Sequence, residues 1–206
     1  ISVKDIHHRL YPALQTLAVK MWTASETSLP YVTFDSARHR LSEAPGVNQA
    51  GRAGSSPALV CELPILFPGA TTSLEEIGYD YTVSFDIKGR PEALGTELFR
   101  STHAVFYLAD PVRGLLGFAR DGYLFTFNYR IKEGDAAIAI EGDNTSTRLY
   151  VDGRLKEELS TTVHFDDLGK GKIRRVPTLV FPLRQAGKFC SQVENLKVYN
   201  YNRSKR

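Results

Sequence analysis

Three pairs of carboxylates stand side by side in this chain, Glu75-Glu76, Glu157-Glu158 and Asp166-Asp167, and five histidines accompany them: His7, His8, His39, His103 and His164. Two carboxyl groups flanking one bond, about 5–9.5 Å apart, are what a glycosidase needs to protonate a leaving group and activate water. Successive side chains on a strand point to opposite faces, so a pair within a strand cannot flank one bond. Solvated turn charges are the expected reading of these carboxylates. His7 and His8 are adjacent rather than four apart, so their rings diverge and cannot clasp one metal. The other histidines are isolated. Neither a G-x-S-x-G nucleophile elbow nor a glycine-rich phosphate loop occurs. No paired acid and base emerges, and the chain is not expected to be an enzyme by itself.

Binding chemistry is better supplied. Asp110, Asp121, Asp135, Asp143, Asn144, Asp166 and Asp167 fall near expected turns. A Ca²⁺ ion needs six to eight converging oxygens, and no loop carries a dense ligand series, so no cofactor is expected and calcium stays a minor alternative. Tyr123, Phe125, Phe127 and Tyr129 recur at period two and share one face of a strand. Such an aromatic ladder is either core packing or a stacking surface for the C–H faces of sugars. Cys61 and Cys190, far apart in sequence, support neither a disulfide scaffold nor a metal knuckle. Both lie in expected strands and read as buried free thiols, with a single bridge open if the first and last strands are neighbours.

These residues need elements to hold them. At 206 residues, 42% hydrophobic and 24% charged, the chain is long enough for one substantial core. Its net charge is +3, and its local basic clusters, Lys170 to Arg175 and Arg203 to Arg206, read as solvated loop and terminus rather than a nucleic-acid surface. No apolar run approaches the roughly 20 residues that span a membrane.

The first element is a helix over Asp5 to Ala24, in which Ile6, Leu10, Ala13, Leu14, Leu17, Ala18 and Met21 form a continuous apolar stripe. Pro12 should kink or restart it. Trp22, the only tryptophan, lies one position beyond the stripe and reads as a packing residue. Pro30 suits the first turn of a second helix reaching about Ser42. Residues 45–57 are rich in Gly, Ala, Ser and Pro and read as a linker between a helical segment, 1–44, and a β domain, 58–206.

Strands are expected over Ala58–Leu63, Tyr79–Lys88, Phe106–Ala109, Leu115–Ala119, Tyr123–Tyr129, Ala136–Glu141, Thr147–Val151, Arg154–Leu159, Arg174–Phe181 and Lys188–Tyr199. Asp121-Gly122 and Asp152-Gly153 each separate two apolar runs and suit two-residue hairpins. Many short strands with tight turns predict a mainly β, two-sheet sandwich or barrel. A stripe as wide as that of the first helix needs a surface to cover, and the chain begins at Ile1 rather than Met. Together these suggest the C-terminal piece of a longer protein.

Thr147-Arg148-Leu149-Tyr150-Val151-Asp152-Gly153, preceded by Ala137-Ile138-Ala139-Ile140-Glu141-Gly142-Asp143, resembles a hairpin of concanavalin-like, laminin-G-like jelly rolls. Gly187-Lys188-Phe189 and then Val193 to Asn200 resemble the closing strand of the same fold. The resemblance covers about Ala58 to Asn200 and implies fold far more than function, since such sandwiches serve as lectins, enzymes, adhesion modules and spacers.

Arg9-Leu10-Tyr11-Pro12-Ala13-Leu14, running into Ala18-Val19-Lys20-Met21-Trp22-Thr23, resembles the last barrel helix of family 20 glycoside hydrolases, the β-N-acetylhexosaminidases. Phe34 to Leu41, then Pro45-Gly46-Val47-Asn48, resembles the segment just after that barrel in the same enzymes. The resemblance implies a jelly roll preceded by one or two helices left from a (β/α)₈ barrel end. It implies a parent enzyme that releases terminal N-acetylhexosamine from glycans and is exported. The family's catalytic Asp-Glu dipeptide is absent, so no catalytic residue carries over. Ile6, Leu10, Leu14, Leu17 and Met21 would dock on the upstream catalytic barrel or, in the chain alone, on a second copy, making a homodimer. Glycans are the other expected partner, as in a carbohydrate-binding module, and a stand-alone adhesion or scaffold domain is the remaining alternative.

Overall fold

The computed structural model describes residues 3–23, 30–38, 56–78, 80–91, 93–120, 122–143, 146–160 and 178–205. They fall into two compact units, Ile1–Ala50 and Gly51–Arg206.

The first unit holds α1 (Val3–Thr23) and α2 (Tyr31–Arg38). Of the kink or restart expected at Pro12, the restart does not occur: α1 runs unbroken past it. A proline removes one hydrogen bond from the ladder, and here whole turns on either side carry the helix through. α2 begins where Pro30 predicts, the Phe34 N–H donating to the Pro30 carbonyl at 3.1 Å. Residues 39–42, the rest of the expected helix, lie outside the described residues, as does the expected linker up to residue 55.

The second unit is an antiparallel β-sandwich of jelly-roll type. Its strands are β1 (Leu59–Leu66), β2 (Glu76–Ile77), β3 (Tyr81–Lys88), β4 (Thr96–Arg100), β5 (Ala104–Ala109), β6 (Gly117–Arg120), β7 (Tyr123–Thr126), β8 (Asp135–Gly142), β9 (Ser146–Val151), β10 (Arg154–Ser160), β11 (Phe181–Pro182), β12 (Gln185–Ala186) and β13 (Gln192–Tyr199). Six of them form one sheet in the order β1-β13-β3-β8-β9-β10, five form another in the order β12-β4-β5-β6-β7, and β2 pairs with β11.

Alternation explains the core. On β3, Tyr81, Val83, Phe85 and Ile87 are all buried, facing Ile138 and Ile140 of β8 and Leu149 of β9 on the same side of the sheet. The other sheet contributes Leu98, Phe99, Phe106, Leu108 and Phe118 to the same core. Phe181 joins the two layers. Its ring lies 4.8 Å from that of Phe106 and, edge-on, 6.0 Å from that of Tyr81. The Tyr81 hydroxyl, inside this core, donates to the Leu179 carbonyl at 2.8 Å, which removes the cost of an unpaired buried O–H.

Turn chemistry sets the register where the sequence predicts it. Asp152 and Gly153 both have positive φ, 49° and 75°, and Val151 pairs with Arg154 across them. Gly122, at φ 79°, closes the hairpin that pairs Arg120 with Tyr123.

Several expectations are corrected. β7 ends at Thr126 rather than Tyr129, and the last strand begins at Gln192 rather than Lys188. Of the strand expected over Arg174–Phe181, residues 174–177 lie outside the described residues and only Phe181 is in a strand. β2, β4 and β12 are additional. β4 escapes a period-two search because bulges fall on either side of Glu97. A bulge inserts an extra residue and breaks the alternation, so the consecutive Leu98 and Phe99 are both buried. The first and last strands are indeed neighbours, with Cys61 opposite Val198, yet both thiols are free. Cys190, expected to be buried in a strand, precedes β13 and is exposed.

A polar cleft beside β4 and β12

β12 borders the five-stranded sheet, with Gln185 opposite Arg100 and Ala186 opposite Phe99 of β4. The next residue fastens a third segment to this pair. Gly187 donates its N–H to the Leu98 carbonyl at 3.0 Å, and its own carbonyl accepts from the Gly69 N–H at 3.0 Å. The backbones lie flush: a methyl group at Gly187 would sit 2.1 Å from the Glu97 carbonyl oxygen. Gly69 and Gly95 have φ of 77° and 75°, a region L side chains rarely adopt. They turn the chain without filling the space beside it.

The result is an open cleft of about 350 Å³, near the lower end of the ~300–1,000 Å³ typical of small-molecule sites. Glu97, Arg100, Gln185 and Lys188 line it, together with Ala186 and the glycines at 69, 95 and 187. The Arg100 guanidinium donates from Nε and Nη2 to the two Glu97 carboxylate oxygens, at 2.8 and 2.7 Å. That bond to Glu97 holds Arg100 firmly protonated. Glu97 pairs across the ladder with Tyr107. Burial pushes the Tyr107 phenol up, and the charge of Glu97 pushes it further. An ion pair this exposed adds little stability, but it fixes an acceptor edge beside a donor edge. Phe67 and Leu94, 66% and 61% exposed, stand next to Pro68-Gly69 and Gly95 in the two loops that border the cleft.

Among the described residues Glu97 is the only carboxylate lining this cleft, so the arrangement has no acid and base in opposition. It can hold hydroxyl and amide groups. Among the described residues no three His, Cys, Asp or Glu side chains gather to hold a metal.

Several of the carboxylates singled out by sequence are engaged in structure. Glu75 accepts from the Thr102 N–H and hydroxyl, each at 2.8 Å. The backbone bond from Thr102 leads in holding its carboxyl below the ordinary range. Glu157 accepts from the Asn128 N–H, and Arg148 joins Glu158 to Asp143 at 3.2 and 2.9 Å. Asp110 accepts from the N–H groups of Val112 and Arg113 at 2.8 Å and of Leu115 at 2.6 Å. Burial would raise its carboxyl, but those three donors, with Arg113, hold it below its usual value. Asp135 is exposed, and Asp121, Asn144, Asp166 and Asp167 lie outside the described residues. Of the basic clusters, residues 170–175 lie outside them too, while the Arg203 guanidinium sits 5.1 Å over the Tyr199 ring.

The aromatic ladder divides. Phe127 is fully buried, Phe125 and Tyr129 are half-buried against the core, and Tyr123 is 41% exposed. Phe118 gathers the inward rings, 5.3 Å from Phe125 and 6.4 Å from Phe127. On α1, Leu10, Leu14 and Leu17 are just over half exposed, Met21 is 74% exposed, and Trp22, expected to pack, is 92% exposed. Ile6 belongs to the helix, but its side chain lies outside the described residues. No helix among the described residues is long and apolar enough to cross a membrane.

No family model matches the chain, and no curated protein matches it. Among solved structures it is similar to domain 4 of AbnA, a GH43 extracellular arabinanase from Geobacillus stearothermophilus, in complex with arabinotriose (16% identity over 67% of this chain and 65% of that one, TM-score 0.35). It is also similar to sheep galectin-11 in complex with glycerol (7% identity, 65% of this chain and 98% of that one, TM-score 0.34). A third is Trypanosoma rangeli sialidase with the inhibitor DANA (11% identity, 60% of this chain, TM-score 0.30), of whose length the chain spans 21%. All three are distant likenesses.

Proposed function

We propose that this chain is a non-catalytic accessory region of a glycoside hydrolase, in which α1 docks on a catalytic barrel and the jelly roll assists it. The observation that carries the reading is the apolar face of α1, where Leu10, Leu14, Leu17 and Met21 stand exposed at helical spacing. The leucines, already about half buried, would each gain roughly 1 kcal/mol on being covered, and Met21 more. The resemblance of residues 9–23 to a last barrel helix names the cover: the upstream barrel of an exported β-N-acetylhexosaminidase.

The test compares hydrolysis of a chromogenic N-acetylglucosaminide by this chain and by the protein extended upstream by a barrel's length, about 250 residues, with its preceding domain. Activity in the long form alone supports the reading. Activity in neither removes the hexosaminidase assignment.

A further inference from the structure

We infer that the cleft beside β4 and β12 is a binding site for one non-ionic pyranose unit of a glycan, held by Glu97, Arg100, Gln185 and Lys188 below and by Phe67 from the rim. The inference does not depend on the docking of α1.

The polar groups match a sugar's edge. Neighbouring hydroxyls on a pyranose ring each donate one hydrogen bond and accept others. The Glu97–Arg100 pair presents the complement: carboxylate oxygens with lone pairs left over, next to guanidinium N–H groups beyond the two that Glu97 occupies. Gln185, across the ladder from Arg100, repeats the pattern in neutral form, one amide oxygen and one NH₂. Lys188 adds a donor with no carboxylate partner among the described residues.

A carboxylate or sulfate would find the bidentate edge of the guanidinium already closed on Glu97 and would meet the Glu97 charge, leaving it Lys188 and the outer N–H groups of Arg100. A neutral ring meets neither obstacle. The exposed Phe67, two residues before Gly69, supplies a π face for the C–H face of a sugar. Gly69 keeps the space beside it open: nothing lies within 4 Å of where its Cβ would be.

The test is calorimetric titration of the full chain with neutral trisaccharides of glucose, galactose and N-acetylglucosamine, and with sialyl-lactose as the anionic arm. At least one neutral trisaccharide is expected to bind, with little dependence on salt, and to shift the amide resonances of Gly69, Gly95 and Gly187. Gln185→Ala and Phe67→Ala should each weaken it tenfold or more. Both side chains are exposed, so these variants keep the fold, and unchanged thermal unfolding confirms it. Leu14→Glu should leave the affinity unchanged, whatever becomes of the docking proposal. The inference is overturned if no neutral trisaccharide binds, if the Gln185 and Phe67 variants bind like the parent, or if only sialyl-lactose binds and salt abolishes it.

Discussion

β3 and α1 carry apolar residues at equally regular spacing, and they meet opposite fates. On β3, Tyr81, Val83, Phe85 and Ile87 are 1% exposed or less, while on α1 their counterparts Leu10, Leu14 and Leu17 are just over half exposed. The strand finds its cover within its own unit, because β13 and β8 pair with it on either side and Phe181 roofs it from the other layer. A helix stripe has no such neighbours by construction. Periodicity therefore states that a face wants cover, and only topology states which surface provides it.

The contrast is sharpest in mutation energetics. Phe85→Ala should cost about 3–5 kcal/mol, read as a lowered urea midpoint, with Leu14→Ala as its control. If the two cost the same, the comparison breaks and α1 is covered after all. Next comes Asp110, fully buried at the turn after β5. Asp110→Asn should cost about 2–3 kcal/mol, since three N–H donors lose a charged acceptor. Its folded pKa is depressed, so its contribution is full above the unfolded value of about 4 and fades as pH falls through the folded one. The gap between parent and variant should accordingly be constant near neutrality and narrow below about pH 4.

Gly187→Ala should rank third at about 1–3 kcal/mol, because its methyl meets the Glu97 backbone rather than a flexible side chain. Sugar affinity should fall with it as β12 shifts. The smallest expected effect is on α1 itself: Leu14→Ala within about 0.5 kcal/mol in this chain. In the upstream-extended protein, the same substitution should lower the unfolding temperature measurably, as burial of that face requires.

Wherever a strand keeps strict alternation, its fold was legible in the sequence. Tyr81 to Ile87 and the Asp152-Gly153 turn are examples, each readable from two or three local rules. β4 was hidden because its bulges place Leu98 and Phe99 inward together. The aromatic ladder misled in a different way. Period two put Tyr123, Phe125, Phe127 and Tyr129 on one face, but alternation does not say whether that face is the inner or the outer one, and Phe127 went to the core. The cleft was illegible for a third reason. Glu97 and Arg100 lie almost 90 residues from Gln185 and Lys188, and only the pairing of β12 with β4 unites them. The one local hint was the presence of glycines at 69, 95 and 187, which mark close backbone approach without naming its partner.

Exposed Cys190 sits two residues beyond Lys188, whereas Cys61 is partly shielded in β1 and burial pushes its thiol up. The nucleophile in thiol labelling is the thiolate, so a maleimide dye at neutral pH will attach at Cys190 well before Cys61. The native sequence thus carries its own labelling handle two residues from a residue that lines the cleft, and a fluorophore placed there is expected to report ligand occupancy optically with no engineered residue.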